Sequence, residues 1–281
     1  MLGPIDVLTP SGPQSVGGPL PRALLGALAV AAGRSVSVDQ LCEALWGDEP
    51  PSSAERALHT YVWRLRRLLG PDAVVLVDHS YRLAVRREQI DALCFEDLLT
   101  QATDARSDLD RCAELCRAGL ALWRGPPFGE LADEEPFRLE AIRLDELRLA
   151  AIELLLETEV ALGHHEIAVA ELECAVQEHP YRERLWYLLI DALRLDDRRV
   201  EALRTCEELR RTLAEVGVEP AADLDAIEAE ILDANETCCG RGATSPGSGR
   251  RSGAEVVNKD ERGVDVGFER GADPIELIGR R

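Results

Sequence analysis

The chain has 281 residues, 46% of them hydrophobic and 30% charged, with a formal net charge of −20, which provides enough apolar material for two modest cores. No apolar run approaches a membrane span, and the N-terminus lacks the basic start and cleavage site of a secretory leader, so a cytoplasmic protein without membrane contact is expected. An acidic average would argue against nucleic acid, but the excess is local: residues 1–88 hold 9 Arg against 9 Asp and Glu, residues 89–235 hold 15 Arg against 35, and residues 236–281 hold 8 Lys and Arg against 8.

The first element is an apolar run from Ala23 to Ala32. A short helix follows, opened by a capping box of Ser37 and Gln40, with Val38, Leu41, Cys42, Leu45 and Trp46 as its apolar side. Gly47-Asp48-Glu49 breaks it and Pro50-Pro51 keeps it from continuing. A second capping box, Ser52 with Glu55, is expected to start the next helix, from Ala54 to Leu69, which Gly70-Pro71 ends. Leu58, Val62, Leu65 and Leu69 recur at helical spacing and form its buried stripe. Opposite them lie Arg56, Thr60, Trp63 and Arg67, with Arg64 beside them and Arg66 and His59 on one flank. Arginine forks suit guanine edges and phosphates, and threonine can meet a base, so this face suits a DNA groove; a solvated arginine face fits the same pattern. Two β-like runs, Val74 to Val77 and Tyr81 to Val85, joined by Asp78-His79-Ser80, read as a hairpin. Three helices and a hairpin make a winged helix-turn-helix, with the third helix in the major groove and the hairpin against the backbone.

The middle segment is helical and repeats every 34 residues. Ile152 recurs as Trp186, Leu155 as Leu189, Leu156 as Ile190, Ala168 as Ala202, Leu172 as Cys206 and Ala175 as Leu209, while the turn Gly163-His164-His165 recurs as Asp197-Arg198-Arg199. These are the apolar positions of tetratricopeptide-type hairpins, closed by a capping helix from Ala221 to Ala234, and such arrays present a concave surface to protein partners. The fold class expected is therefore mainly α with a small β part: a winged helix-turn-helix followed by a tetratricopeptide-like helical repeat domain. The last 46 residues contain nine Gly and no sustained periodicity, so residues 236–281 are expected to be a disordered tail.

No enzyme survives inspection. His165-Glu166 begins like a zinc-protease motif, but Val169 stands where the second histidine must be, and the only lysine, Lys259, is followed by Asp260 rather than by the Ser or Thr of a phosphate loop. Cys42, Cys174 and Cys206 fall at apolar helical positions and are expected to be core thiols, with Cys94 buried at a helix start. Cys112 and Cys116 share a helix face, but no second pair has matching spacing. No catalytic residue, metal site or cofactor is expected.

Several motifs in order carry a resemblance. Leu2-Gly3-Pro4-Ile5-Asp6-Val7, Gly17-Gly18-Pro19, Arg22-Ala23-Leu24-Leu25, Val36-Ser37-Val38-Asp39-Gln40-Leu41, Leu45-Trp46-Gly47-Asp48-Glu49-Pro50-Pro51, Tyr61-Val62-Trp63-Arg64-Leu65-Arg66-Arg67 and Tyr81-Arg82-Leu83 resemble the OmpR-type winged helix of the antibiotic regulatory protein family (SARP). Ala121-Leu122-Trp123-Arg124-Gly125-Pro126, Arg143-Leu144-Asp145-Glu146-Leu147-Arg148 and His179-Pro180-Tyr181-Arg182-Glu183-Arg184-Leu185-Trp186 resemble its bacterial transcriptional activation domain. The resemblance covers residues 1 to 235 and implies a winged-helix domain at 1–88 and an activation domain at 89–235. It implies a pathway-specific activator of secondary-metabolite genes that binds direct repeats near promoters, self-associates on double-stranded DNA and contacts RNA polymerase and its sigma factor. Under it, Thr60 and Arg64 read bases, Arg56 and Arg67 read bases or phosphates, and Tyr61, Trp63, Arg66 and Arg82 position the backbone. The loop Gly47, Asp48, Glu49, Pro50, Pro51, Ser52, Ser53 is the candidate polymerase contact. The alternative reading is a helical-repeat adaptor or ligand-sensing regulator whose winged helix does not bind DNA. Three departures from the family are visible: Leu20-Pro21 replace a charged or amide residue, Ser80 replaces a glycine before Tyr81, and the family begins a few residues before the Leu-Gly-Pro motif.

Overall fold

The computed structural model describes residues 1–9, 12–221 and 223–239; the expected tail lies outside the described residues apart from the end of the last helix. A two-stranded antiparallel sheet of β1 (Asp6–Thr9) and β2 (Gly12–Ser15) precedes α1 (Pro19–Val30), β3 (Val36–Ser37), α2 (Val38–Trp46) and α3 (Ala54–Leu69). The hairpin of β4 (Val74–Val77) and β5 (Ser80–Leu83) closes this part, with β5 between β3 and β4. The observed α1 starts four residues before the apolar run, because Pro19 and Pro21 fit a first turn, where a missing N–H costs nothing.

The capping box at Ser37 forms, with Gln40 N–H donating to Ser37 Oγ at 3.2 Å and Ser37 N–H to Gln40 Oε1 at 3.1 Å. The one expected from Ser52 and Glu55 does not. Ser53 is the residue before α3, its side chain caps nothing, and the entry is made by a backbone turn in which Ala54 N–H donates to Pro51 O at 2.8 Å. The wing turn is also one residue shorter than expected: Ser80 is already paired with Val77 and Ser37, and the left-handed conformations fall on Asp78 (φ 44°) and His79 (φ 59°). Two successive positive φ values make the tight turn whose twist matches the strands. Ser80 therefore stands in extended backbone, where it needs no glycine.

The helical part comprises α4 (Asp91–Asp104), α5 (Leu109–Leu120), α6 (Arg138–Ala161), α7 (His165–Glu178), α8 (Glu183–Leu195), α9 (Arg199–Glu215) and α10 (Asp223–Cys239). The 34-residue period is visible in the backbone. Gly163 (φ 84°) and Asp197 (φ 61°) are both left-handed, and His164 N–H donates to Glu159 O at 3.0 Å as Arg198 N–H does to Leu193 O at 2.9 Å. That is one helix C-cap used twice; a third copy at Gly217, with Val218 N–H donating to Leu213 O at 3.0 Å, ends α9. Leu224 and Ile231 of α10 seal the core that Trp186, Leu189, Ala202, Cys206 and Leu209 share with α7. Cys206 is buried as expected, whereas Cys42 and Cys94 are half-buried and Cys174 is exposed. Leu172 and Ala175 face inward, and Cys174, two residues past Leu172, comes round to the opposite side of the helix.

One core crosses from the winged helix into the helical part: Ile5, Leu24, Leu28, Leu58 and Val62 belong to the same cluster as Phe95, Phe128, Phe137 and Leu144. Two family-like motifs meet there. Arg124 N–H donates to Leu2 O at 2.7 Å and Phe128 N–H to Met1 O at 2.9 Å. Gly3, at φ 140°, lies so close to Arg124 that a β-carbon would be 3.0 Å from the Arg124 Cβ. Asp91 accepts from the Met1 ammonium at 2.7 Å and from Arg124 at 3.2 Å. Burial alone would raise its pKa, but these cations and the Leu2 N–H outweigh that and hold it below the usual carboxylate range.

Candidate nucleic-acid interface

The α3 helix buries Ala54, Leu58, Val62 and Leu65 against α1 and α2, and this fixes what it shows to solvent. Arg56, His59, Thr60, Trp63, Arg64 and Arg67 are exposed, and Tyr61 and Arg66 are half-buried. Trp63 keeps 56% of its surface accessible, a large cost for an indole in water unless something covers it. The Arg67 guanidinium lies 4.9 Å from the Trp63 ring centroid and that of Arg64 lies 5.9 Å from the Tyr61 ring. Tyr61 in turn stacks on Trp46 of α2 at 6.4 Å. The two arginines are thus laid along aromatic faces, which restrains them without using any of their N–H donors. The Thr60 hydroxyl donates back to Arg56 O at 3.1 Å, leaving its lone pairs outward.

Arg66 is placed differently from its neighbours. Its Nε donates to Val74 O at 2.8 Å, tying the helix to the first strand of the wing. Sequence spacing could not reveal this, because the acceptor is a backbone carbonyl on another element. Arg82 is exposed on β5. The hairpin also exposes Leu76 (56%) and Val77 (43%), which its sequence does not foretell, since a run of Val-Val-Leu-Val does not say which side faces the core. Gly47 to Ser53 are all exposed and form the loop between α2 and α3.

Carboxylate pairing sets α3 and β5 apart from most of the chain, although among the described residues Arg106, Arg148 and Arg204 of the helical part also lack a carboxylate partner, and Arg22 and Arg87 of the winged-helix part have one. Among the described residues, carboxylates pair with Arg111, Arg117, Arg124, Arg138, Arg143, Arg182, Arg184, Arg194, Arg198, Arg199, Arg210 and Arg211 in the helical part. None pairs with Arg56, Arg64, Arg66, Arg67 or Arg82. Arginines that neutralise a fold's own acids are consumed by it; Arg56, Arg64, Arg66 and Arg67 on α3 and Arg82 on β5 are left without carboxylates and keep their positive charge uncompensated. The third family-like motif belongs to the consumed kind. Arg182 donates to Glu153 at 2.6 Å, Arg184 to Glu157 at 2.8 Å, and Trp186 Nε1 to Pro180 O at 2.9 Å, so His179 to Trp186 is a structural corner.

Cys112 and Cys116 are buried, Cys112 against the Thr158 hydroxyl at 3.5 Å. Burial, with Cys112 adding to it, pushes the Cys116 thiol up to about 12. Among the described residues no three potential ligands gather as a metal would need, and no helix is long and apolar enough to cross a membrane.

A winged helix with a free basic third helix, carried on a helical repeat array, defines a two-part transcriptional regulator. Residues 18–81 match the family model described as transcriptional regulatory protein, C terminal, and residues 90–232 match the bacterial transcriptional activator domain. The chain is 34% identical over 229 residues to the regulatory protein DnrI of Streptomyces peucetius, covering 76% of this chain and 84% of that one. It is 38% identical over 243 residues to the regulatory protein AfsR of Streptomyces griseus, covering 84% of this chain but only 24% of that one, so it spans about a quarter of that relative. The solved structure of Mycobacterium tuberculosis EmbR in complex with a low-affinity phosphopeptide superposes with a TM-score of 0.77 at 33% identity, covering 85% of this chain and 68% of that chain. The chain belongs to the antibiotic regulatory protein (SARP) family of transcriptional regulators.

Proposed function

We propose that this protein is a sequence-specific DNA-binding activator of a secondary-metabolite gene cluster. In this reading two or more copies bind direct repeats near a promoter and contact RNA polymerase and its sigma factor through the exposed loop Gly47 to Ser53. The observation that carries the reading is the unpaired arginine surface of α3 and β5 in a chain whose other arginines are largely consumed by carboxylates. Thr60 and Arg64 are assigned to base edges, Arg56 and Arg67 to bases or phosphates, and Tyr61, Trp63 and Arg82 to the backbone. Arg66 serves the backbone chiefly by holding the wing to the helix.

Binding site selection with the purified protein, followed by titration of the selected duplex over a range of salt, tests this. Arg64→Ala should weaken the specific complex by roughly 1–3 kcal/mol and relax preference at one position, and Arg82→Ala should weaken all sequences alike and lower the salt slope by about 1. Arg66→Ala should lose thermal stability as well as affinity, because it also releases Val74 O. Absence of salt-dependent binding to any duplex would sink the DNA reading and favour a protein-binding adaptor.

A further inference from the structure

Trp46 is the last residue of α2, which ends at Gly47, whose N–H donates to Glu43 O at 2.7 Å. It is half-buried, packs against the shared core, and stands on α2 rather than on the exposed arginine face. Its indole reaches that face at one remove. It stacks on Tyr61 with ring centroids 6.4 Å apart and planes inclined by 25°, and the Arg64 guanidinium lies 5.9 Å from the same Tyr61 ring. Tyr61 and Arg64 are three residues apart on α3, a spacing that makes two side chains neighbours on a helix surface. The series Trp46, Tyr61, Arg64 thus ties an arginine of α3 to a second helix. Arg67 is held differently. It lies 4.9 Å from the Trp63 ring, but Trp63 is 56% exposed and among the described residues no second ring stacks on it. One arginine therefore stands on a ring anchored to another element, the other on a ring with no such stacked anchor.

Resting on the DNA reading above, we propose that Trp46 is a positioning residue for base readout: through the Tyr61 ring it sets the orientation of Arg64, and so helps set specificity at the base pair Arg64 reads. Arginine recognises guanine by two bonds to O6 and N7, which require the guanidinium plane to be aimed at the base edge. A long side chain that rotates freely must give up that freedom on binding. Stacking supplies the orientation beforehand without using any N–H donor, because the ring meets the face of the guanidinium and the donors lie in its plane. A phosphate is less exacting, since its contact is chiefly one of charge and carries no sequence information. Loss of the platform should accordingly be felt as loss of preference rather than of attraction. The Tyr61 hydroxyl keeps its assignment to the DNA backbone, and only the face of its ring serves Arg64.

Sites selected from random duplexes by the full natural chain, with Arg64→Ala beside it, locate the base pair that Arg64 reads, and anisotropy titrations then compare the four bases there at one salt concentration. Trp46→Leu, which keeps an apolar side chain but no ring, should lower the preference at that position several-fold, with affinity for non-specific duplex and the salt slope unchanged. Trp46→Phe should keep most of the preference, since a ring can still stack. In the Arg64→Ala background, Trp46→Leu should change the preference no further. A folded Trp46→Leu protein with the natural preference would overturn the proposal. So would a loss shared equally by all sequences, losses from Trp46→Leu and Arg64→Ala that multiply, or no position relaxed by Arg64→Ala. If Trp46→Leu does not fold, Tyr61→Leu and Tyr61→Phe decide: only the first should lose the preference, and the same outcome in both would overturn the role. A natural chain that selects no duplex would overturn the DNA reading and this role together, whereas a selected site indifferent to Trp46 and Tyr61 would overturn this role alone.

Discussion

Gly26 lies inside α1, where glycine normally weakens a helix by about 1 kcal/mol relative to alanine. Here the missing β-carbon has a use, because one would lie 2.6 Å from Ile5 Cδ1 and 2.8 Å from Phe137 Cε1. Gly26→Ala should therefore destabilise despite its better propensity, by roughly 1–3 kcal/mol of overpacking, read as a lower urea midpoint with unchanged m-value. The cysteines give a second test at this scale. Burial pushes the Cys206 thiol up to about 11 and that of Cys116 to about 12, so neither presents a thiolate at neutral pH. Cys174 is exposed. Iodoacetamide at neutral pH should modify Cys174 well before Cys112, Cys116 or Cys206 in the native protein, and peptide mapping that found those three modified together with it would show that the helical core opens readily.

Among the elements, the corner between α7 and α8 shows how a charged motif can be wholly structural. Glu153 is 6% exposed in the middle of α6, and Arg182 reaches it from the turn at 2.6 Å, with Arg184 3.7 Å away. Losing the nearer partner strands a carboxylate inside the array, at a cost of about 1.5–3 kcal/mol for a charge-assisted bond. Arg182→Ala should lower the thermal midpoint, and adding Glu153→Gln should recover part of the loss. Equal losses for the single and double variants would mean that the pair does not couple α6 to α8. The wing and α3 are joined by a similar device, Arg66 to Val74 O, which ties the cationic helix to the first strand of the hairpin.

At the scale of the molecule, the winged helix does not close its own core. Phe95, Phe128 and Phe137 are each no more than 1% exposed and complete the cluster begun by Ile5, Leu24 and Leu28. A fragment of residues 1–88 keeps every residue of the proposed DNA face but loses those three rings, each worth about 1.5–3 kcal/mol of burial. It should melt well below a chain cut after Cys239 and bind a hydrophobic dye; a fragment as stable as the longer chain would show that the shared core contributes little. In the proposed function it should also lose the cooperativity between adjacent repeats that the helical part is assigned.

Much of this protein was legible in the sequence because the signals were periodic. The stripe Leu58, Val62, Leu65, the Ser37 and Gln40 cap, and the 34-residue echo from Ile152 to Leu209 each depend on residues a fixed number of bonds apart, and the backbone reproduces them. The arginine face of α3 follows from the same periodicity. What remained hidden depended on groups far apart in the chain. The Ser52 and Glu55 cap lost to a backbone turn at Pro51; Cys174 turned outward by a rotation that spacing read too loosely; Arg66 found a carbonyl in β4. Which arginines stay free was decided only when carboxylates and carbonyls from distant elements came within hydrogen-bonding distance, because electrostatic pairing acts through space and composition records only how many charges there are.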